Sequence, residues 1–163
     1  MNIYGVTREG INMKKLLYLL VLFTLLLSAC GKNAEPKELA VDQDTSVKDI
    51  VGTIVKNKFT VEETKGIVTI SIQDTDVREG SKNQMLKDSG RIFAELSKLK
   101  SVKTPSIIWF APLTGANNNE EMTEVLSVYF DEKDFRTVNW ADYAQLNIES
   151  IATEYKENPA LGD

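Results

Sequence analysis

The chain has 163 residues, with 24 acidic and 19 basic side chains for a net charge of −5, no histidine and a single cysteine. The acidic balance argues against nucleic acid as a partner, because such a surface repels phosphate. Without histidine or a pair of cysteines, most zinc and copper sites, any internal disulfide and most nucleophile–base couples are excluded.

Lys14 and Lys15 precede an apolar run over residues 16–29. That run is shorter than the roughly 20 residues a spanning helix needs. Small residues Ser28 and Ala29 close it, which is the three-part layout of a secretory signal peptide. Its end, Leu27-Ser28-Ala29-Cys30-Gly31, resembles the lipobox of bacterial lipoproteins, a leucine and two small residues before a cysteine. The resemblance implies recognition by signal peptidase II, cleavage between Ala29 and Cys30, and a diacylglyceryl thioether on Cys30. Small side chains let an enzyme reach the backbone, and the thiol supplies the nucleophile for acylation. Two acyl chains, palmitate-like, supply the two membrane signals that stable anchoring takes. The expected location is the extracytoplasmic face of a cell membrane. Met13, directly before Lys14-Lys15, is an alternative translational start; residues 1–12 otherwise extend the leader. Residues 1–29 carry Arg8, Lys14 and Lys15 against Glu9, so residues 30–163 carry −7. Such a domain is expected to stand off an anionic membrane, held by its lipid alone.

Residues 30–45, after the cysteine, are polar, include Pro36 and lack periodicity, which predicts a flexible tether. Residues 46–163 are long enough for one domain. Its first helix is expected to start at Ser46, with Asp49 three residues on as in a capping box. Val47, Ile50, Val51, Ile54 and Val55 then recur at helical spacing. Val68, Ile70 and Ile72 alternate with Thr69, Ser71 and Gln73, the pattern of a half-buried strand. Phe59 and Val61 suggest a short partner, with a turn near Thr64-Lys65-Gly66. A second helix is expected from Ser81, where Ser81 and Gln84 suit a capping box. Met85, Ser89, Ile92, Phe93, Leu96 and Leu99 form its inner face. Residues 106–114 and 123–130 read as an antiparallel pair of strands, with Pro112 marking an edge or bulge. A single turn near Trp140–Tyr143 leads to a last helix. Asn147 caps it, Ile148, Ile151, Ala152 and Tyr155 share one face, and Pro159 stops it. The expected fold class is α+β: a small antiparallel sheet with helices mainly on one face, in the order α-β-α-β-β-α.

Candidate chemistry is sparse. Residues 74–80 loosely resemble a calcium loop, but the glycine falls one place late, Arg78 sits at a ligand position and no later glutamate is in register. Asn117, Asn118, Asn119, Glu120 and Glu121 offer oxygen ligands at a hairpin tip, where a polar loop is the plainer reading. Asp131, Glu132, Asp134 and Asp142 bracket Lys133 and Arg136 and read as surface charge. Trp109 and Trp140 suit a ligand cleft or, more simply, the core. Ser89-Gly90 lies mid-helix without a base and is no nucleophile elbow. No catalytic residue, metal ligand or cofactor site is expected; contact with a protein partner is.

Over residues 46–161 the segments "MLKDSGRIFAELSKLK" and "FDEKDFRTVNWADYAQLNIESIATEYKENPAL" resemble small lipoproteins of Gram-positive mobile elements. Those of the conjugative-transfer region of staphylococcal plasmids are the most similar in layout. That resemblance implies no enzyme activity and an accessory role in conjugation. Within the leader, Leu22-Phe23-Thr24-Leu25-Leu26-Leu27-Ser28-Ala29 is similar to an enterococcal sex pheromone, Leu-Phe-Ser-Leu-Val-Leu-Ala-Gly. Leu22, Phe23, Leu25 and Leu27 match in place. This second resemblance implies release of an octapeptide from the cleaved leader. Two other readings stay open: a small solute- or peptide-binding lipoprotein, and a surface or superinfection exclusion lipoprotein.

Overall fold

The computed structural model describes residues 40–78, 80–114 and 119–161. Helix α1 (Val47–Ile54) begins where Ser46, in extended conformation, accepts the Asp49 N–H at 3.1 Å. The Ser46 hydroxyl in turn donates to the Asp49 carboxylate. Strands β1 (Lys58–Thr64) and β2 (Ile67–Gln73) form an antiparallel hairpin closed by Lys65 and Gly66, both at positive φ (52° and 87°). A two-residue hairpin loop needs that handedness to match strand twist, which is why glycine stands there. A Cβ on Gly66 would also approach the Lys103 side chain to 2.9 Å and the Ser101 carbonyl to 3.0 Å.

Helix α2 (Ser81–Leu96) then crosses over to β3 (Thr104–Thr114), which pairs parallel with β2. The wholly antiparallel sheet expected from the sequence is thus interrupted at one pairing, since a parallel pair requires a long crossover and α2 supplies it. The expected capping box does not form. Gly80, at φ 83°, is the cap, and the Ser81 hydroxyl turns back to accept the Arg78 N–H at 2.9 Å. Gln84 bonds Asp88 instead of reaching the cap.

Strand β4 (Glu120–Tyr129) returns antiparallel to β3, with a bulge opposite Trp109 and Phe110. The bulge breaks alternation, so Val125 and Leu126 are both buried. Pro112 stands where β3 has passed the last β2 partner, Gln73, so it occupies a local edge within a central strand. Helix α3 (Glu132–Thr137) follows, capped by Asp131, whose carboxylate accepts the Asp134 N–H at 2.7 Å. A 3-10 segment, Trp140–Gln145, leads to α4 (Ile148–Ile151), and β5 (Glu154–Glu157) and a last 3-10 turn (Pro159–Leu161) finish the described chain.

The expected final helix therefore stops at Ile151. Its apolar spacing was compatible with a helix, but a single turn holds itself poorly, and the open edge of β4 offers a ladder. Thr153 draws the chain there: its hydroxyl accepts from Asp131 N–H and donates to the Asp134 carboxylate. Tyr155 pairs opposite Val128 on the strand.

The result is a five-stranded sheet in sequence order β1-β2-β3-β4-β5, antiparallel at every described pairing except β2–β3, in an α+β architecture. Val68, Ile70, Ile72, Ile107, Trp109, Leu126 and Val128 form its buried face, in one core with Val51, Phe93 and Leu96 from the helices. Phe93, Phe130, Phe135 and Trp140 make an aromatic cluster with ring centroids 5.0–6.4 Å apart. Residues 41–45, expected to be tether, belong to this folded unit. Val41 packs on the core, and the Gln43 amide donates to Lys98 O (2.7 Å) and accepts from Lys100 N–H (3.0 Å).

Candidate functional site

The densest polar constellation joins α2 to the last strand. Lys82, in the first turn of α2, places its ammonium 2.8 Å from Glu157 and 3.3 Å from Glu149. The Tyr155 hydroxyl donates to the same carboxylate oxygen, Glu157 Oε2, at 2.7 Å. The hydrogen bond from Lys82, then that from Tyr155, holds the Glu157 carboxyl below its ordinary value. The bond to Glu157 raises Lys82. Burial, then the bond to Glu157, pushes the Tyr155 phenol above its ordinary value. Lys82 is thereby held protonated, Glu157 ionised and the Tyr155 phenol neutral. Such a group staples two elements; it offers neither a free base nor an activated nucleophile at neutral pH.

Beside it lies a cleft of about 410 Å³ between α2 and the segment 143–149, walled by Asn83, Leu86, Lys87, Tyr143, Asn147 and Glu149. Amide and charged groups ring an apolar floor that includes Gly90 and Ile148. The volume suits a small polar solute.

The second surface is the sheet face that the helices leave open. Ile108, Phe110 and Pro112 point to it from β3, with Met122 opposite Pro112 at 41 % exposure. Troughs of about 340 and 270 Å³ flank this ridge, one lined by Lys58, Thr60, Ser71 and Gln73, the other by Ser106, Ser127 and Tyr129.

The anchoring residues read from the sequence, Leu27, Ser28, Ala29 and Cys30, and the pheromone-like residues 22–29, lie outside the described residues, as do Asn117 and Asn118. Trp109 and Trp140 are core: their indole N–H groups donate to Ser89 Oγ (3.0 Å) and Phe135 O (2.8 Å), at 2 % and 7 % exposure. Asp74 makes a local turn with Asp76 N–H, and among the described residues no three acidic, histidine or cysteine side chains are placed to hold a metal ion. Asp131 and Asp134, read as surface charge, are a helix cap and its partner. Arg136 also does more than sequence reasoning assigned. Its guanidinium donates to the carbonyls of Ser97, Leu99, Lys100 and Val102, collecting the loop after α2. No local pattern signals that clamp, nor the Lys82–Glu157 pair, because each joins residues more than thirty positions apart. No protein-family model, curated protein or solved structure matches the chain.

Proposed function

We propose that the chain is a lipoprotein anchored through Cys30 to the extracytoplasmic face of a Gram-positive cell membrane, its folded unit acting by protein contact in plasmid transfer. In this reading the leader residues 22–29 are released as a pheromone-like octapeptide. One observation carries the anchoring: Leu27-Ser28-Ala29-Cys30 at the end of a basic-then-apolar leader. Among the described residues no helix is long and apolar enough to cross a membrane. The open sheet face, with Phe110 and Met122 between shallow troughs, is the surface suited to a protein partner.

The test is metabolic labelling with palmitate, followed by conjugation frequency from the native element. Wild-type chain incorporates label and supports transfer; Cys30→Ala remains an unprocessed, unlabelled precursor and fails to restore transfer to a deletion strain. Labelled, processed Cys30→Ala protein would overturn the anchoring, and undiminished transfer in the deletion strain would overturn the conjugation role. The cleft beside Tyr143 favours a second reading, a small-solute-binding lipoprotein, which gains if transfer is unaffected.

A further inference from the structure

An edge strand leaves a row of backbone donors and acceptors unpaired, which another chain can complete. The two edges of this sheet differ. β5 is 4 residues long and is soon followed by Pro159. β1 is 7 residues long, carries no proline and pairs on one side only, with β2. Its two-residue turn makes Thr64 and Ile67 a hydrogen-bonded pair, so Lys58, Thr60, Glu62 and Thr64 direct their backbone groups to β2. Phe59, Val61 and Glu63 alternate with them and direct N–H and C=O outward. Among the described residues nothing bonds those outward groups.

The side chains of this edge match themselves under a two-fold rotation. Lys58 and Glu62 are exposed on the open face of the sheet, with Thr60 midway between them. Neither has an opposite charge within 4.0 Å among the described residues. Phe59 and Val61, on the other face, are half-buried against the core. A second β1 running antiparallel, with Thr60 facing the partner's Thr60, sets Lys58 opposite the partner's Glu62 and Glu62 opposite the partner's Lys58. Phe59 then faces the partner's Val61, and Val61 the partner's Phe59. The backbone agrees with this register. Phe59 and Val61 both point outward, so the facing residues exchange N–H···O bonds. The charged pairs fall at the non-hydrogen-bonded positions, where side chains approach most closely.

Other registers match less well. Centring on Phe59 leaves Lys58 facing a threonine, as does centring on Val61, and centring on Glu62 or Glu63 sets like charges together. With Thr60 at the axis, Glu63 faces Asn57, just before the partner strand, and Lys56 and Lys65 lie beyond the strand's ends. No like charges stand directly opposite.

We infer that β1 is a docking edge for a second copy of this chain, added antiparallel about a two-fold axis at Thr60 into one continuous sheet. Charges on an edge commonly keep copies apart. Here opposite signs, symmetric about Thr60, make them partners. The inference is independent of the anchoring through Cys30.

The experiment uses the full chain in detergent with C30S, so that an introduced cysteine is the sole thiol. Mild oxidation of the T60C variant is expected to give a disulfide-linked dimer, because the facing pair lies within disulfide reach. T64C, equally exposed on the same face, is expected to cross-link roughly ten-fold more slowly. No dimer with T60C, or equal rates for the two variants, overturns the inference. Sedimentation velocity then tests the charges. K58E and E62K should each weaken self-association roughly ten-fold, since each sets like charges opposite one another on both sides of the axis. An equimolar mixture of the two should associate as wild type does, as should the double variant K58E/E62K. Unchanged association in K58E, or no recovery in both the mixture and the double variant, also overturns the inference. Near-UV circular dichroism checks that each variant is folded; where a charge variant is not, the comparison of T60C with T64C still decides.

Discussion

Ser89 shows how much a single side chain decides here. It is fully buried in the middle of α2, a position where a hydroxyl contributes nothing by transfer from water. Its value is that Oγ accepts the Trp109 indole N–H from β3 at 3.0 Å, tying helix to sheet. Ser89→Ala keeps the shape but leaves that donor buried and unpaired, at a cost of about 1–3 kcal/mol. Urea unfolding followed by tryptophan fluorescence should show the loss as a lower midpoint with an unchanged slope. A midpoint equal to wild type would mean that the indole finds another acceptor. The sequence placed Ser89 on the inner face of its helix by spacing alone; its partner, twenty residues away, was not readable.

At the scale of elements, the weak point is the connection from α2 to β3. Residues 97–103 contain no strand or helix, so their carbonyls look elsewhere for donors. Arg136, from the last turn of α3, supplies them, and Gln43 adds a two-sided bond from before α1. Arg136→Ala should therefore cost about 1–2 kcal/mol, moderated by the exposure of the guanidinium. It should also raise amide exchange in residues 97–103 while leaving β1 and β2 protected. Exchange rising equally throughout would show a global loss of stability instead of a local clamp. The elements themselves were legible to different degrees. Alternation exposed β2, and spacing exposed α1 and α2, because each buries one face. The end of the chain misled, because residues 148, 151, 152 and 155 suit a helix, whereas β4 had an unpaired edge that only the assembled sheet presents.

For the whole molecule, the Lys82–Glu157–Tyr155 group couples the last strand to α2 and gives stability a defined pH window. Glu157 has a folded value below its ordinary 4.5, chiefly through Lys82. Its contribution is complete above pH 4.5 and is lost as pH falls through the folded value. Lys82 lies above its ordinary 10.5, so its contribution is complete below that pH and is lost as pH rises through the raised value. Between these limits the pair contributes a plateau. Glu157→Gln should lower stability at pH 7 and flatten the decline on acidification below pH 4.5, measured by urea titration across pH. An acid limb as steep as in wild type would assign that decline to other carboxylates.

The sequence by itself determined the α+β class and most of the core, because burial periodicity is a local property of a chain. Tertiary structure alone decided the parallel β2–β3 pairing, the fifth strand, the Arg136 and Gln43 clamps and the Lys82–Glu157 staple. Each depends on residues distant in the chain meeting in space, and a net charge or a helical spacing carries no record of which ends the fold brings together.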